Sequence, residues 1–214
     1  MLAGGFADRE RVCKITQSSV SDISNLNSLN EEADTRMLLH AIDFSTNNHS
    51  CLVIRSDDTD VLVLLLYYYS LGMLANKTYM QAGHEGVSTN KRRLIPIHDI
   101  VVKLPQTTVR CLPAMHALTG CDTTSSLCRI GKKSAFSCLL KHTEKVKALV
   151  QMGSSISVSA EVENSARQFL LYLYGNNKNE AGSYCKTLDD IRFIVASTTD
   201  KPASSLPPTE DAFL

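Results

Sequence analysis

The fold of this chain depends on residues 51–62, whose sequence is CLVIRSDDTDVL. The apolar run at residues 51–54 predicts a buried strand that ends at Arg55. Three aspartates occupy the turn that follows, and an apolar helix is predicted over residues 61–71, with Gly72 ending it. The acidic turn therefore lies at the carboxyl end of a predicted parallel strand, which is where doubly wound sheets bind their ligands.

Helices and strands alternate on both sides of this stretch. A helix is predicted over residues 31–44, capped by Asn30, and a hairpin around residues 83–86 would join strands at residues 77–81 and 92–97. Further helices are predicted over residues 97–103, 109–118, 132–141, 144–152 and 160–174. This alternation, with helices dominating the second half, indicates an α/β protein with a parallel sheet core.

Three regions are distinguished by composition. Residues 1–30, which become rich in serine and asparagine, are interpreted as a lead and linker, and residues 31–175 as the main domain. Residues 176–214 form a C-terminal extension, and the proline-containing end, residues 197–214, is expected to be extended or disordered.

Acidic and basic side chains are concentrated in different parts of the chain, although the overall charge is balanced. The 214 residues include 22 basic and 22 acidic side chains, so the formal net charge is zero. Residues 31–60 hold seven acidic and two basic side chains, whereas residues 129–147 hold six basic and one acidic side chain. The first stretch could therefore hold a metal and the second a phosphate group.

Composition also indicates the cellular environment. The seven cysteines are an odd number with no Cys-x-x-Cys pair, which is typical of reduced thiols in an intracellular protein. The longest apolar run, residues 61–69, is far shorter than the roughly 20 residues that span a bilayer, and residues 1–11 do not resemble a signal peptide. We expect an intracellular protein without membrane contact.

Asp58 and Asp60 are the strongest candidates for a functional site. A spacing of two within a tight turn lets both carboxylates converge on one point. The alternative is that one residue of the turn caps the following helix, where acidic residues are favoured. A single cap needs only one residue, so Asp57, Asp58 and Asp60 together exceed that requirement, which favours a functional role.

Glu32, Asp34 and Asp122 each have an ordinary structural explanation. Acid in the first helical turn and a Glu32–Arg36 pair account for the first two. Gly120 as a helix C-cap and Asp122 as an Asx turn account for the third. Taken together with the acidic turn, however, five carboxylates at the ends of neighbouring elements would repel each other unless a divalent cation lay among them.

A basic turn follows the last of these acids. Residues 129–135, RIGKKSA, lead into a predicted helix N-terminus with a glycine and two lysines. Exposed amides and lysines at such a turn can bind a phosphate group, and the alternative is a solvated basic helix start.

In this order, the segments resemble the second half of the flap-endonuclease family of structure-specific 5′ nucleases, in the PIN-like group. Residues 31–39, EEADTRMLL, resemble the family's Glu-Ala-Glu-Ala helix start, and residues 55–62 resemble its Asp-x-Asp-x-Leu segment. Residues 117–122, ALTGCD, resemble its Leu-Gly-Cys-Asp-Tyr. Residues 129–135 stand where the family has Gly-Ile-Gly-Pro-Lys-x-Ala, within a helix-two-turn-helix element at about residues 109–142.

The resemblance implies a PIN-like α/β fold and a Mg²⁺- or Mn²⁺-dependent nuclease with two ions. It implies these catalytic metal ligands: Glu32, Asp34, Asp58, Asp60 and Asp122. It implies these contacts to the nucleic-acid backbone: Arg129, Gly131, Lys132 and Lys133. The substrate would be DNA, recognised by its structure rather than its sequence, and the protein would be nuclear.

The resemblance begins only at residue 31. The family's first metal-binding aspartate and its basic gateway helix have no counterpart among residues 1–30. The sheet would then be incomplete, with apolar surface that a further chain segment or a protein partner covers. Two functions stay open: an active nuclease, and a nuclease-derived domain without catalysis that binds nucleic acid or protein.

Overall fold

The structure is a computed structural model that describes residues 2–3, 7–8, 10–28, 32–47, 49–83, 92–175, 185–200 and 202–213. The predicted cap Asn30, the helix start at Glu31, the hairpin turn at residues 84–86 and the predicted break at residues 176–179 lie outside these ranges. The chain forms two compact units, Met1–Lys103 and Leu104–Leu214. This division differs from the boundaries at residues 31 and 175 that composition indicated.

The first unit contains two small sheets and three helices among its described residues. The strands are β1 (Leu2–Ala3), β2 (Val12–Ile15), β3 (Val20–Asp22), β4 (Cys51–Arg55), β5 (Lys77–Ala82) and β6 (Arg93–Pro96). The helices are α1 (Ala33–Thr46), α2 (Thr59–Ser70) and α3 (Ile97–Lys103). The predicted strands and helices between residues 31 and 103 are therefore present, with small shifts at their ends.

The second sheet is mixed rather than parallel. Its strand order is β4-β5-β6, with β4 parallel to β5 and β5 antiparallel to β6. Because only residues 83–92 connect β5 to β6, the chain is too short for the crossover of a dozen or more residues that a parallel return needs. The α/β class is confirmed, and the parallel arrangement holds for one strand pair.

Strand β4 is half-buried rather than buried. Leu52 and Ile54 face the core, whereas Val53, between them, is 51% exposed. Leu94 on β6 belongs to the same face as Val53 in the strand register and is 54% exposed. One face of the described sheet is therefore covered by helices and the other is open, unlike the two covered faces of a doubly wound fold.

Helix α2 is the centre of the first unit's core. Its apolar residues Val61 and Leu65 are fully buried, and it contacts both α1 and α3. It ends at Ser70, and Gly72 adopts φ 74°, a left-handed conformation that favours glycine. The predicted helix end is confirmed.

The N-terminal region contains a sheet that composition did not indicate. Strands β1, β2 and β3 pair antiparallel, with Val12 and Cys13 buried. The Arg11 guanidinium donates to Asp22 at 2.8 Å across β2 and β3. The interpretation of residues 1–30 as a linker was wrong for these strands, because strands of two to four residues are too short to show the alternation that identifies a strand.

The second unit is helical. Its helices are α4 (Gln106–Leu118), α5 (Lys132–His142), α6 (Ala160–Leu173), α7 (Leu188–Thr198) and α8 (Glu210–Phe213). The helix predicted over residues 144–152 is instead two 3-10 turns, Thr143–Lys145 and Lys147–Gln151. Val146, whose side chain is fully buried, separates them with non-helical angles (φ −121°, ψ 22°).

The end of the chain is packed onto the second unit, contrary to expectation. Leu170, Leu171, Leu188 and Ile191 form a buried cluster between α6 and α7, and Phe213 packs against it. Among the described residues no helix combines the length and the apolar character needed to cross a membrane.

Polar contacts hold the same segment in place. Arg167 on α6 binds Glu210, and Arg192 on α7 donates to the carbonyl of Pro207. Residues 202–213 are therefore ordered by partners that lie far away in sequence, which composition cannot indicate.

Candidate metal centre and basic turn

Three of the five predicted metal ligands lie together in the first unit. Carboxylate oxygens of Asp34, Asp58 and Asp60 all lie within 4.8 Å of one another. Asp34 is in the first turn of α1, Asp58 is the N-cap of α2, and Asp60 is in the first turn of α2. Asp58 is exposed and the other two are half-buried, so the cluster is open to solvent.

Hydrogen bonds fix the acidic turn that carries two of these aspartates. The Ser56 amide donates to the Gln81 carbonyl at 3.1 Å, which ties the turn to β5. The Asp58 amide donates to Ser56 Oγ at 3.0 Å, and Asp57 Oδ1 accepts the amide of Gly83. The turn is thus held at the carboxyl end of β4.

The three aspartates of the turn have different roles. Asp57 binds the backbone of the neighbouring strand end, and Asp58 accepts the Asp60 amide at 2.9 Å, which caps α2. The contact to the neighbouring strand and the helix cap are thus provided by Asp57 and Asp58. Asp60 is needed for neither and contributes a carboxylate to the cluster. Sequence reasoning did not identify Ser56 and Asp57 as the residues that position this turn.

Two helix N-termini reduce the repulsion between the three carboxylates of the cluster. The N-termini of α1 and α2 both meet it, and the positive ends of two helix dipoles offset part of the repulsion between the carboxylates. First-turn acid preference therefore explains each aspartate separately. The preference for acid at a helix start does not explain why carboxylate oxygens from two different helices approach one another.

Glu32 is not a member of the cluster. It is the exposed N-cap of α1 with an extended backbone (φ −75°, ψ 131°), and its side chain forms no cap hydrogen bond. Its carbonyl accepts the Thr35 hydroxyl at 3.0 Å. Arg36, its expected ion-pair partner, donates to the Ser28 carbonyl at 3.1 Å. The metal role of Glu32 stays a prediction.

Asp122 belongs to the second unit, in the exposed turn after α4. Gly120 precedes it with φ 97°, and a Cβ at that position would lie 2.4 Å from Ser126 Cα, so only glycine fits. The Thr124 hydroxyl donates to the Ala117 carbonyl at 2.7 Å and accepts the Cys121 amide at 3.1 Å. The glycine C-cap is confirmed, and the metal role of Asp122 stays a prediction.

Lys132 has a structural role that sequence reasoning missed. Its ammonium donates to the His116 carbonyl at 2.7 Å, to Thr119 Oγ1 at 3.0 Å and to the Gly120 carbonyl. These acceptors lie at the C-terminus of α4, where a cation is favoured by the helix dipole. Because an ammonium has three hydrogens, this arrangement employs its full donor capacity.

The other residues of the basic turn are more exposed. Arg129 adopts φ 62°, a left-handed conformation that is uncommon for a residue with a side chain. Gly131 is the N-cap of α5 with φ −87°, and a Cβ there would meet no atom within 4 Å. Lys133 is exposed. The contacts of this turn with nucleic acid stay a prediction.

Comparisons of the chain with protein-family models, with curated proteins and with solved structures gave no match.

Proposed function

We propose that this chain is a divalent-metal-dependent, nuclease-like domain of PIN-like fold that acts on the phosphodiester backbone of DNA, in the nucleus. The observation that carries the proposal is the approach of three carboxylates, Asp34, Asp58 and Asp60, from two helices at the end of one strand. Hard divalent cations take oxygen ligands, and carboxylates at a strand end are a suitable donor set for Mg²⁺ or Mn²⁺.

The size of the cluster is compatible with one ion. Mg²⁺ binds oxygens at about 2.0–2.1 Å, so adjacent ligands lie about 3 Å apart around it. Oxygens within 4.8 Å of one another are close enough to share one ion. A second ion, which the resemblance implies, needs further ligands, and Glu32 at the start of α1 is the proposed one in this unit.

A backbone feature of the second unit supports the PIN-like resemblance. Arg129 stands where the family's Gly-Ile-Gly-Pro-Lys-x-Ala segment has its first glycine, and it adopts the left-handed conformation that glycine favours. The turn also lies between two helices, α4 and α5, as a helix-two-turn-helix element requires. The backbone conformation at this position is therefore one that the family's glycine would also adopt.

In the proposed mechanism, Asp34, Asp58 and Asp60 hold the cation at the strand end. A cation held there would supply Lewis-acid chemistry, activating water and offsetting charge on the phosphate oxygens. The Asp60 amide donates to Asp58 Oδ1 and thereby orients this side chain. Arg129, Gly131 and Lys133 bind the nucleic-acid backbone, and Lys132 keeps the preceding turn in shape.

The second candidate is a nuclease-derived domain that binds nucleic acid or protein without catalysis. Two observations favour it. The cluster contains three of the five expected carboxylates, and one face of the described sheet exposes Val53 and Leu94. A protein partner would cover such apolar surface.

Isothermal titration with Mn²⁺ tests the metal site. Asp58→Asn retains the helix cap, because asparagine caps as well as aspartate, but removes a charged ligand. We expect Asp58→Asn, Asp60→Asn and Asp34→Asn each to weaken Mn²⁺ binding roughly tenfold or more, since affinity depends on ligand charge. Asp57→Asn is the matched control, because it removes a charge from the same turn outside the cluster.

The outcomes separate the candidates. Equal Mn²⁺ affinity in the three cluster variants would reject the shared site. Weaker Mn²⁺ binding by Asp122→Asn would show that Asp122 is also a metal ligand. Cleavage of a branched DNA substrate by wild type with Mn²⁺, and its loss in Asp60→Asn, would support the nuclease. Metal binding without cleavage of any branched or free-ended DNA would support the second candidate.

A further inference from the structure

Residues 202–213 lie against α6 and α7, and we name them the return segment. Arg192, in the middle of α7, donates to the carbonyl of Pro207. The Leu188 amide, at the start of α7, donates to Glu210 Oε2 at 2.8 Å. Because later residues of the segment contact earlier residues of α7, the segment runs back along this helix towards its N-terminus.

Glu210 is the main polar anchor of the return segment. Its Oε1 accepts from Arg167 Nε on α6, its Oε2 accepts the Leu188 amide, and its own amide donates to Asp189 Oδ1 at 3.2 Å. The Arg167 and Glu210 side chains are only 14% and 20% exposed, so salt screens this ion pair little. Charge-assisted hydrogen bonds of this kind fix the position of an acidic residue.

The Arg167 side of this contact is oriented within α6 itself. Arg167 Nη2 donates to Glu163 Oε1 at 2.6 Å, and Nη1 donates to Asn164 Oδ1 at 2.8 Å. These bonds hold the guanidinium independently of the return segment and leave Nε for Glu210. A receptor group that is already oriented loses less conformational entropy when its ligand binds.

Phe213 is the second anchor of the return segment. Its ring centroid lies 5.1 Å from Cζ of Arg167, and it packs against the buried cluster between α6 and α7. The groove between these helices therefore accommodates an acidic residue followed three residues later by an aromatic one.

The return segment buries few of its own side chains. Among residues 202–213, Ser205 and Pro207 are buried, and α8 contributes no buried residue. Ordering a backbone costs conformational entropy, which buried apolar surface normally offsets. With so little burial the segment depends on its few anchors, and its release costs less free energy than the opening of a core helix.

The hinge of the return segment lies directly after α7. Thr199 has φ −140° and ψ 143°, and Pro202 has φ −63° and ψ 149°, so both have an extended backbone. The same segment of a second copy would form every contact described above, so an exchange changes only the hinge. We propose that the groove between α6 and α7 is a docking surface for the return segment of a second copy of this chain, and that two copies exchange these segments.

The balance between the two arrangements depends on concentration. A tethered segment is present at its own groove at an effective concentration in about the millimolar range, so at micromolar protein it docks within one copy. Exchange becomes measurable when that internal contact is broken. The docking surface belongs to the second unit and needs neither the carboxylate cluster nor a metal.

A peptide titration tests the groove. The full chain with Glu210→Arg places like charges together, because position 210 faces Arg167, and so releases its own return segment while the groove stays intact. By fluorescence anisotropy, we expect saturable binding of a labelled peptide of residues 202–213, with a Kd below about 1 mM. Wild type, whose groove is occupied, and the double variant Glu210→Arg/Arg167→Met should bind about tenfold more weakly or less.

Asp211→Arg is the matched control for the peptide titration. It makes the same change of charge one residue further on, at an exposed position of α8. Its own return segment should stay docked, so it should bind the peptide as weakly as wild type does.

Mixing two full-chain variants tests the exchange between copies. Glu210→Arg and Arg167→Glu each bring like charges together within one copy, whereas across two copies opposite charges meet in both grooves. Light scattering should give the mass of one chain for each variant alone and of two chains for the mixture. Arg167→Glu mixed with Asp211→Arg should keep the mass of one chain. Circular dichroism before mixing checks that each variant is folded.

The outcomes are distinct. Equal peptide affinity of Glu210→Arg and the double variant, or no saturable binding, would overturn the docking surface, and this result does not depend on the folding of Arg167→Glu. Peptide binding without a dimer in the mixture would overturn the exchange and assign the groove to a segment of another protein. Failure of the proposed metal site would appear only in the Mn²⁺ titration.

Discussion

At the scale of single residues, the same side-chain type performs different tasks within one turn. Asp57 accepts the Gly83 amide, Asp58 caps α2, and Asp60 joins Asp34 and Asp58 in the cluster. The cap that Asp58 forms is local, but the local order Ser-Asp-Asp-Thr-Asp could not assign the tasks of Asp57 and Asp60, because these depend on which backbone or carboxylate lies opposite. A neighbouring strand and a second helix supply those partners.

Lys132 provides the prediction at this scale. Lys132→Met should lower the free energy of unfolding by about 1–3 kcal/mol, because its ammonium donates to three acceptors at the end of α4. Urea unfolding followed by circular dichroism measures this change. Lys133→Met is the control and should stay within about 0.5 kcal/mol of wild type, since Lys133 is exposed.

DNA binding by the same two variants distinguishes a lysine that stabilises the fold from one that contacts DNA. Affinity measured at several salt concentrations should fall in Lys133→Met if the basic turn binds phosphates. A variant Lys132→Met that unfolds like wild type and yet loses DNA affinity would contradict the structural role of Lys132.

At the scale of elements, α7 illustrates a helix whose start is defined locally. Thr187 accepts the Asp190 amide at 3.1 Å, and Asp190 accepts the Thr187 amide at 3.2 Å, which is a capping box. The hydrogen bond from the Thr187 side chain, together with its backbone amide, holds the pKa of Asp190 below its ordinary value. The charged form of Asp190 is thus the one that the folded helix favours.

This pKa direction predicts the pH dependence of stability. A carboxyl group whose pKa is lowered by folding stabilises the protein above its ordinary pKa of about 3.9, and this contribution disappears as the pH falls through the lowered value. Asp190→Asn, which cannot ionise, should therefore be less stable than wild type at about pH 6 and equal to it at about pH 2.

Unfolding free energies of wild type and variant across that range measure the effect. Asp200→Asn, which removes one carboxylate at an exposed position, is the control for the loss of a charge. A constant difference between wild type and Asp190→Asn down to the lowest pH would contradict the assignment.

At the scale of the whole molecule, the chain consists of two compact units with separate cores. The second unit has its own buried residues on α4, α5, α6 and α7, including Val109, Leu139 and Phe169, which are fully buried. A unit with its own core is expected to fold alone.

Residues 104–214 expressed alone should therefore show helical circular dichroism and one cooperative thermal transition. Residues 104–200 should melt at a lower temperature, because they lack Glu210, the partner of Arg167, and Phe213, which packs against the α6–α7 cluster. An unfolded 104–214 fragment would show that the two units depend on each other.

Patterns of neighbouring residues predicted much of the fold. The apolar run after residue 50, the acidic turn, the α2 segment and Gly72 identified β4 and α2, because propensity and capping act within a few residues. The same patterns placed Asp58 and Asp60 at a strand end. The α/β class and the helical second half followed from the alternation of these segments.

Three-dimensional contacts decided what local patterns could not. The open face with Val53 and the docking of residues 202–213 depend on partners distant in sequence. The same is true of the approach of Asp34 to Asp58 and Asp60. Local propensity determined which elements form, whereas packing determined which side chains meet, because a contact's energy depends on both partners.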